Sequence, residues 1–453
     1  MPVKCVPLSL FRTLMNPGFH PFRSGLFCAG LYRRAARRCH TLAQGGRQHP
    51  KRQTLYYLPM NINSGLLEEL NKLTSGMKMN IKIKSSLLLP FFSLVATLSP
   101  LHAADTQPLP QQRTQFVNNE LWPDDKGVHI NAHGGGVLYH GGAYYWFGEH
   151  KVAGDAGNKA QVGVHCYRST DLYNWTDAGI ALPVSADPAS DIVQGSIIER
   201  PKVIYNAATK KFVMWFHLEM KGRGYTAARA AVAVADQPAG PYTYLRSFRA
   251  NAGVWPQNVT DTDKIPDKKN LLQRDFEGGQ MSRDMTLFVD EDGKAYHITS
   301  AEDNRTLHIH ELSADYLGYS GRYSRIFPGD SNEAPAICKY KGRYWMITSG
   351  CSGWAPNTAR SAVADSIWGP WKKLPNPCTG GEAVNGVGYN KTWGGQSTFI
   401  LPVSGKEGAF IALFDVWRPK DAIDGRYIWL PIQFGPDGVQ IPWQDTWDLS
   451  SFK

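Results

Sequence analysis

Three carboxylates and one amide stand out because each sits directly before an apolar run. Glu199 heads the run PKVIY, Asp284 heads MTLFV, Glu333 heads APAIC and Gln396 heads STFIL. Charge at the head of an apolar strand is unexpected, because burying an ionised group costs several kcal/mol unless it is paired. Acids gathered near one axis also repel one another, which raises the pKa of at least one. Hydrolysis of a glycosidic bond needs that combination. One carboxylic acid must keep its proton near neutral pH for the leaving oxygen, and a second group must act on water.

Recurring elements must bring these residues together. From about residue 120 a unit repeats five times: a short apolar strand, a turn, an aromatic-rich strand, then a more polar pair. The turns HGG, NAATKK, DEDGK, YKGR and SGKEG follow hairpin grammar. No apolar stripe of helical period runs for any length. Five such units predict an all-β, five-bladed β-propeller over residues 105–453, with the first strand of each blade on the axis. A two-sheet sandwich would also supply many short strands, but not five similar hairpins. The head position of each unit reads Ala132-His133, Glu199, Asp284, Glu333 and Gln396, so these side chains should meet at one mouth of the channel.

Aromatic residues near those heads, Trp146, Tyr225, Trp354, Trp393 and Trp417, offer flat faces for sugar C–H groups. Glu149, after YYWFG, is a further polar candidate. Each assignment has a structural counterpart. Glu199 adjoins Arg200 and Asp284 adjoins Arg283, so either could be an ion pair. His133 could be a satisfied core histidine or an axial anchor for water or calcium. The pattern requires no cofactor and identifies no catalytic metal site; a structural calcium stays open.

The 49 Lys+Arg and 39 Asp+Glu of the 453 residues give a net charge of +10, all of it in residues 1–78, which hold 12 basic and 2 acidic residues. The remainder is neutral with 37 of each, which argues against nucleic acid as partner. Residues 79–104 (MNIKIKSSLLLPFFSLVATLSPLHAA) read as a signal peptide, too short for a comfortable membrane span. A secreted or periplasmic protein with no membrane span in its mature form is expected. Residues 1–78 then read as an upstream extension, with translation starting at Met79 or Met77. Of seven Cys, Cys5, Cys28 and Cys39 precede the signal. Cys166, Cys338, Cys351 and Cys378 are too scattered for a disulfide framework; buried free thiols are expected, with one disulfide left open.

The stretches NAHGGGVLYHGGAYYWFGEHK, ERPKVIYNAATKKFVMWFH, SRDMTLFVDEDGKAY, EAPAICKYKGRYWMITSGCSGWAPN and DGRYIWLPI resemble glycoside hydrolase family 43 over roughly residues 120–450. The likeness is to the branches of exo-β-1,3-galactanases and of β-galactofuranosidase/α-L-arabinofuranosidase enzymes, with VGVHCYRSTDLYNW and SAVADSIWGPW nearer the second. It implies inverting hydrolysis of terminal galactose-type or arabinofuranose residues on arabinogalactan-like plant polysaccharide. Glu333 matches the general acid, Asp284 the residue that tunes it, and Tyr225 a sugar contact. The family's usual base, an Asp in the first blade, is absent from NAHGGG. Glu199 and Gln396 match the residues that surround the water where that Asp is missing. The missing Asp also leaves room for a carbohydrate-binding propeller without catalysis. A protein-interaction propeller is disfavoured by the secretion signal and by the lack of a Trp-Asp repeat.

Overall fold

The computed structural model describes residues 112–436 and 438–452. The expected extension, the signal peptide and the first three Cys lie outside them. The fold is all-β. A short ribbon pairs β1 (Phe116–Val117) with β24 (Thr446–Trp447) and so ties the two ends of the described chain. The first blade is β2 (His133–His140), β3 (Ala143–Lys151), β4 (Gln161–Ser169) and β5 (Thr176–Pro183), and the second is β6 (Ile197–Asn206), β7 (Lys211–Glu219), β8 (Arg229–Ala235) and β9 (Thr243–Phe248). The third is β10 (Met285–Val289), β11 (Ala295–Ala301), β12 (Thr306–Leu312) and β13 (Tyr319–Ile326), and the fourth is β14 (Asn332–Tyr340), β15 (Arg343–Gly350), β16 (Arg360–Ala364) and β17 (Lys372–Leu374). All four are antiparallel meanders. A three-stranded sheet, β19 (Gln396–Pro402), β20 (Phe410–Val416) and β21 (Arg426–Pro431), closes the ring, and a second, β18 (Cys378–Thr379), β23 (Val439–Pro442) and β22 (Gln433–Phe434), lies beside it.

The propeller therefore has six blades among the described residues, not the five read from the repeat. The inner strands β2, β6, β10, β14 and β19 touch one another in a closed ring. The sixth blade meets the fifth through β21 and β23. Its strands are short, and β18 joins β23 in parallel, so no hairpin pattern announced it.

Hairpin chemistry holds the meanders. His140 pairs with Ala143 across Gly141 and Gly142, whose φ values of 57° and 82° suit the tight turns that match strand twist. The inner strands read as apolar runs because both their faces are covered; β6 is buried along nearly its whole length. A large core gathers Phe116, Trp122, Trp146, Trp175, Tyr427, Trp429 and Trp447 where the two ends of the chain meet. Cys166, Cys338 and Cys378 are buried free thiols and Cys351 is an exposed one. No described helix is long and apolar enough to cross a membrane.

Candidate active site

Glu199, Glu333 and Gln396 fall at the heads of β6, β14 and β19, and Asp284 immediately precedes β10. Three of these strands are bulged at that point: pairing slips between Glu199 and Lys202, between Glu333 and Ala336, and between Ser397 and Phe399. The residues after Glu199 and Glu333 are left-handed, Arg200 at φ 56° and Ala334 at φ 51°. A bulge re-aims the side chains beside it. The result is a cavity of about 230 Å³ lined by Glu149, Glu199, Tyr225, Asp284, Glu333, Trp354, Gln396 and Trp417. Of the residues singled out from the sequence, these eight share one site.

Glu199 is buried and strongly partnered. Its Oε1 accepts hydrogen bonds from Asn158 Nδ2 and, at 2.7 Å, from the Tyr225 hydroxyl. Its Oε2 lies 2.9 Å from His217 Nδ1, off the line of a good hydrogen bond, so this contact acts chiefly as an ion pair. Burial pushes the carboxyl up, but the His217 and Tyr225 contacts and the charges of His217 and Lys151 outweigh it and hold the pKa at about 2. A carboxylate has about four lone-pair sites. Three face these partners, which leaves one for water.

Glu333 has the opposite character. Burial, reinforced by the negative charge of Asp284, pushes it up to about 7. Its Oε1 accepts from Asn304 Nδ2 at 2.6 Å. Asp284 Oδ2 accepts from Arg200 Nη2 at 2.9 Å and from the backbone N–H of Ala334 at 3.1 Å. Asp284 therefore pins the backbone next to Glu333 while its charge favours the protonated acid.

Arg200 is the hub. Besides Asp284, it donates to Gln396 Oε1 at 2.6 Å and to the Ser397 carbonyl at 3.2 Å, and its backbone N–H reaches Glu149 Oε1 at 3.0 Å. Gln396 Oε1 also accepts from Trp417 Nε1 at 3.0 Å, while its Nε2 donates to Ser349 Oγ at 2.9 Å. An amide oxygen already facing two donors is in its ordinary form and is ill placed to take a proton. Both Glu149 oxygens are likewise engaged, by Arg200 and by the buried Lys151.

Three residues singled out from the sequence, Trp393, Trp146 and His133, do not line the cavity. Trp393 is 0 % exposed, donates from Nε1 to the Gly380 carbonyl at 2.8 Å and packs on Phe414 and Trp443. It is core, as is Trp146 at 1 %. The exposed rings at the cavity are Tyr225 at 43 % and Trp354 at 50 %. His133 is 1 % exposed, stacks on Tyr427 at 5.4 Å, and borders a water-sized side hollow instead of the main cavity. Burial and the neighbouring Lys151 hold it well below the usual histidine pKa. The cationic Lys151 and Arg426 beside it make a poor setting for calcium, which takes oxygen ligands.

Glu199, His217 and Asp284 bring one ligand atom each within 4.8 Å of the others. His217, however, has a carboxylate at each nitrogen, Glu199 at 2.9 Å and Glu219 at 3.0 Å. A metal there would displace an ion pair, so we read the cluster as a charge network.

Sequence reasoning missed His217, Asn158 and Asn304. It treated Arg200 only as a neighbour of Glu199, whereas Arg200 pairs with Asp284 from another blade. His217 was legible in principle: HLE places a histidine and a glutamate two apart on one strand, hence on one face.

The pattern of the glycosyl hydrolases family 43 matches residues 132–386. No curated protein matches. Among solved structures, a family-43 β-1,3-galactosidase bound to galactodeoxynojirimycin is 54 % identical, with 74 % of this chain and 100 % of that one covered and a TM-score of 0.70. An exo-β-1,3-galactanase from Clostridium thermocellum is 38 % identical over 73 % of this chain and 66 % of its own, TM-score 0.61. One from Phanerochaete chrysosporium, a variant holding β-1,3-galactotriose, is 33 % identical over 74 % and 68 %, TM-score 0.60.

Proposed function

Since this chain belongs to the glycosyl hydrolases family 43 and is a glycoside hydrolase, we propose that it removes terminal galactose units one at a time from β-1,3-linked galactan of the arabinogalactan type, with inversion. The observation that carries this reading is the opposed state of two carboxyls on one cavity, Glu333 near 7 and Glu199 near 2. At pH values between these, Glu333 keeps a proton while Glu199 is charged. Glu333 gives its proton to the glycosidic oxygen as the bond from that oxygen to the anomeric carbon breaks. Water attacks the anomeric carbon from the other face and passes a proton to Glu199. Arg200 and Gln396 hold the surrounding groups still, Asp284 keeps Glu333 protonated, and Trp354 and Trp417 offer walls to the sugar ring. The galactose preference is supported by the relatives named above. The resemblance to arabinofuranosidases favours a second sugar, and the small cavity suits one terminal residue. The composition of residues 79–104 supports action outside the cytoplasm.

The test is to incubate the protein with β-1,3-galactooligosaccharides and with aryl galactosides and arabinofuranosides, and to follow products by NMR from the first minutes. Galactose should appear alone, first as the α-anomer. Release of longer fragments, first appearance of the β-anomer, or a clear preference for arabinofuranosides would overturn the proposal.

A further inference from the structure

Behind Glu199 runs a buried chain of charge that the reaction as drawn does not use. Glu199 on β6 and His217 on β7 are cross-strand partners, and Glu219 lies two residues beyond His217 on the same face. His217 Nδ1 is 2.9 Å from Glu199 Oε2 and Nε2 is 3.0 Å from Glu219 Oε1. Glu219 Oε2 is fixed by the backbone N–H groups of Ala227 at 2.8 Å and Ala228 at 3.0 Å. The carboxylate farthest from the cavity is therefore tied to the backbone, the imidazole is clamped between two acids, and the catalytic carboxylate ends the chain. His217 and Glu219 are at most 1 % exposed.

We propose that His217, backed by Glu219, is a positioning residue that holds Glu199 ionised and aims its remaining lone pair at the attacking water. The proposal rests on the reading that Glu199 acts on that water. Its surroundings show why such a device is needed. Glu149 faces Glu199 from β3, Asp284 from the head of β10 and Glu333 from β14, and each disfavours a further negative charge. Lys151 from β3 and Arg200 from β6 oppose them, Tyr225 donates to Glu199, and Arg283 stands 4.0 Å from Glu219. Among these groups His217 is the cation within contact distance of Glu199. With an acid at each nitrogen its own pKa is carried up to about 9 against the cost of burial, so it is an imidazolium at neutral pH.

The experiment is the pH dependence of kcat/KM on a β-1,3-galactobiose probe for the wild type, His217→Gln, Glu219→Gln and Glu199→Gln, with folding checked by thermal unfolding. In the wild type the acid limb should lie below about pH 4. His217→Gln should move it up by about one unit or more, the size expected for loss of a contacting opposite charge, and leave the basic limb in place. Glu219→Gln should move it little, because at that pH His217 keeps its proton without Glu219. Glu199→Gln should lose about 10²–10⁴-fold at every pH. A His217→Gln enzyme slowed equally at all pH values, with the acid limb unmoved, overturns the proposal while the assignment of Glu199 stands. A Glu199→Gln enzyme keeping more than about a tenth of its activity overturns both. Should His217→Gln not fold, ¹⁵N NMR of the wild-type histidines decides: a doubly protonated His217 at pH 7 is expected, and a neutral ring refutes the idea.

Discussion

At the scale of single residues, the chemistry separates two acids that look alike in sequence. Glu199 and Glu333 each head an apolar strand, yet one is held down by a cation and donors and the other is pushed up by burial and a neighbouring anion. Asp284 is the lever on the second. Asp284→Asn removes the negative charge that favours the protonated acid, so the basic limb of kcat/KM should fall from near pH 7 by about one unit or more, while the acid limb, set by Glu199, should move no higher. A basic limb that stays where it was would show that Asp284 acts through position alone. The residues legible in sequence were those whose type clashed with their surroundings: carboxylates and an amide before PKVIY, MTLFV, APAIC and STFIL. Those missed carry no such clash. Asn158 and Asn304 read as ordinary loop residues, and the reach of Arg200 to Asp284 on another blade is a fact of three dimensions. Trp393 was misplaced for a related reason: its type suits either a sugar or a core, and a backbone φ of 54° with the Gly380 hydrogen bond turned it inward.

At the scale of elements, the bulges are what convert strands into a site. The first blade shows the same break as the others, with pairing slipping between His133 and Gly136. This explains the glycines of HGGG. A Cβ on Gly135 would come within 1.6 Å of the Phe147 carbonyl oxygen, with backbone and not a flexible side chain in the way. Gly135→Ala should therefore cost about 2–3 kcal/mol, the upper part of the range for overpacking, read from urea unfolding with an unchanged m-value. A variant within about 0.5 kcal/mol of wild type, the usual effect of a harmless substitution, would mean that the bulge relaxes freely. The hairpins of the first four blades were legible because their two central strands are long and their turns short. The sixth blade was not: Cys378–Thr379 and Gln433–Phe434 are too short to show a period, and β18 finds β23 across a long stretch of chain.

At the scale of the whole molecule, the ends of the described chain are joined by the β1–β24 ribbon and its aromatic core, and the blades carry several buried or half-buried imidazoles held neutral. His297 is pushed down to about 3 by burial and His150 to about 4 by burial and the stacked His165, while His310 and His133 also lie well below the usual value. Unfolding frees each to take a proton near 6.5, so their contribution is intact above that pH and is lost as pH falls toward 3–4. Glu333 and Asp415, held up at about 7 and about 6, and Glu149, also held up by burial, act in the opposite sense over the same window, but with His129 lowered as well they are three against five. Stability should therefore fall on acidification from about pH 6.5 to 4.5, before Glu199 and Glu302, each near 2, begin to matter. His297→Phe should reduce that slope by up to about 1.4 kcal/mol per pH unit, measured by denaturant unfolding at several pH values. An unchanged slope would show that His297 is not neutral in the fold.

The central claim is that Glu333 gives a proton to the departing sugar oxygen, and leaving-group dependence tests it most directly. Glu333→Gln should lose at least about 100-fold on β-1,3-galactobiose, within the range for general acid catalysis. It should lose far less on a dinitrophenyl galactoside, whose phenolate leaves without protonation. Equal losses on both substrates, or near-native turnover of the disaccharide, would contradict the account.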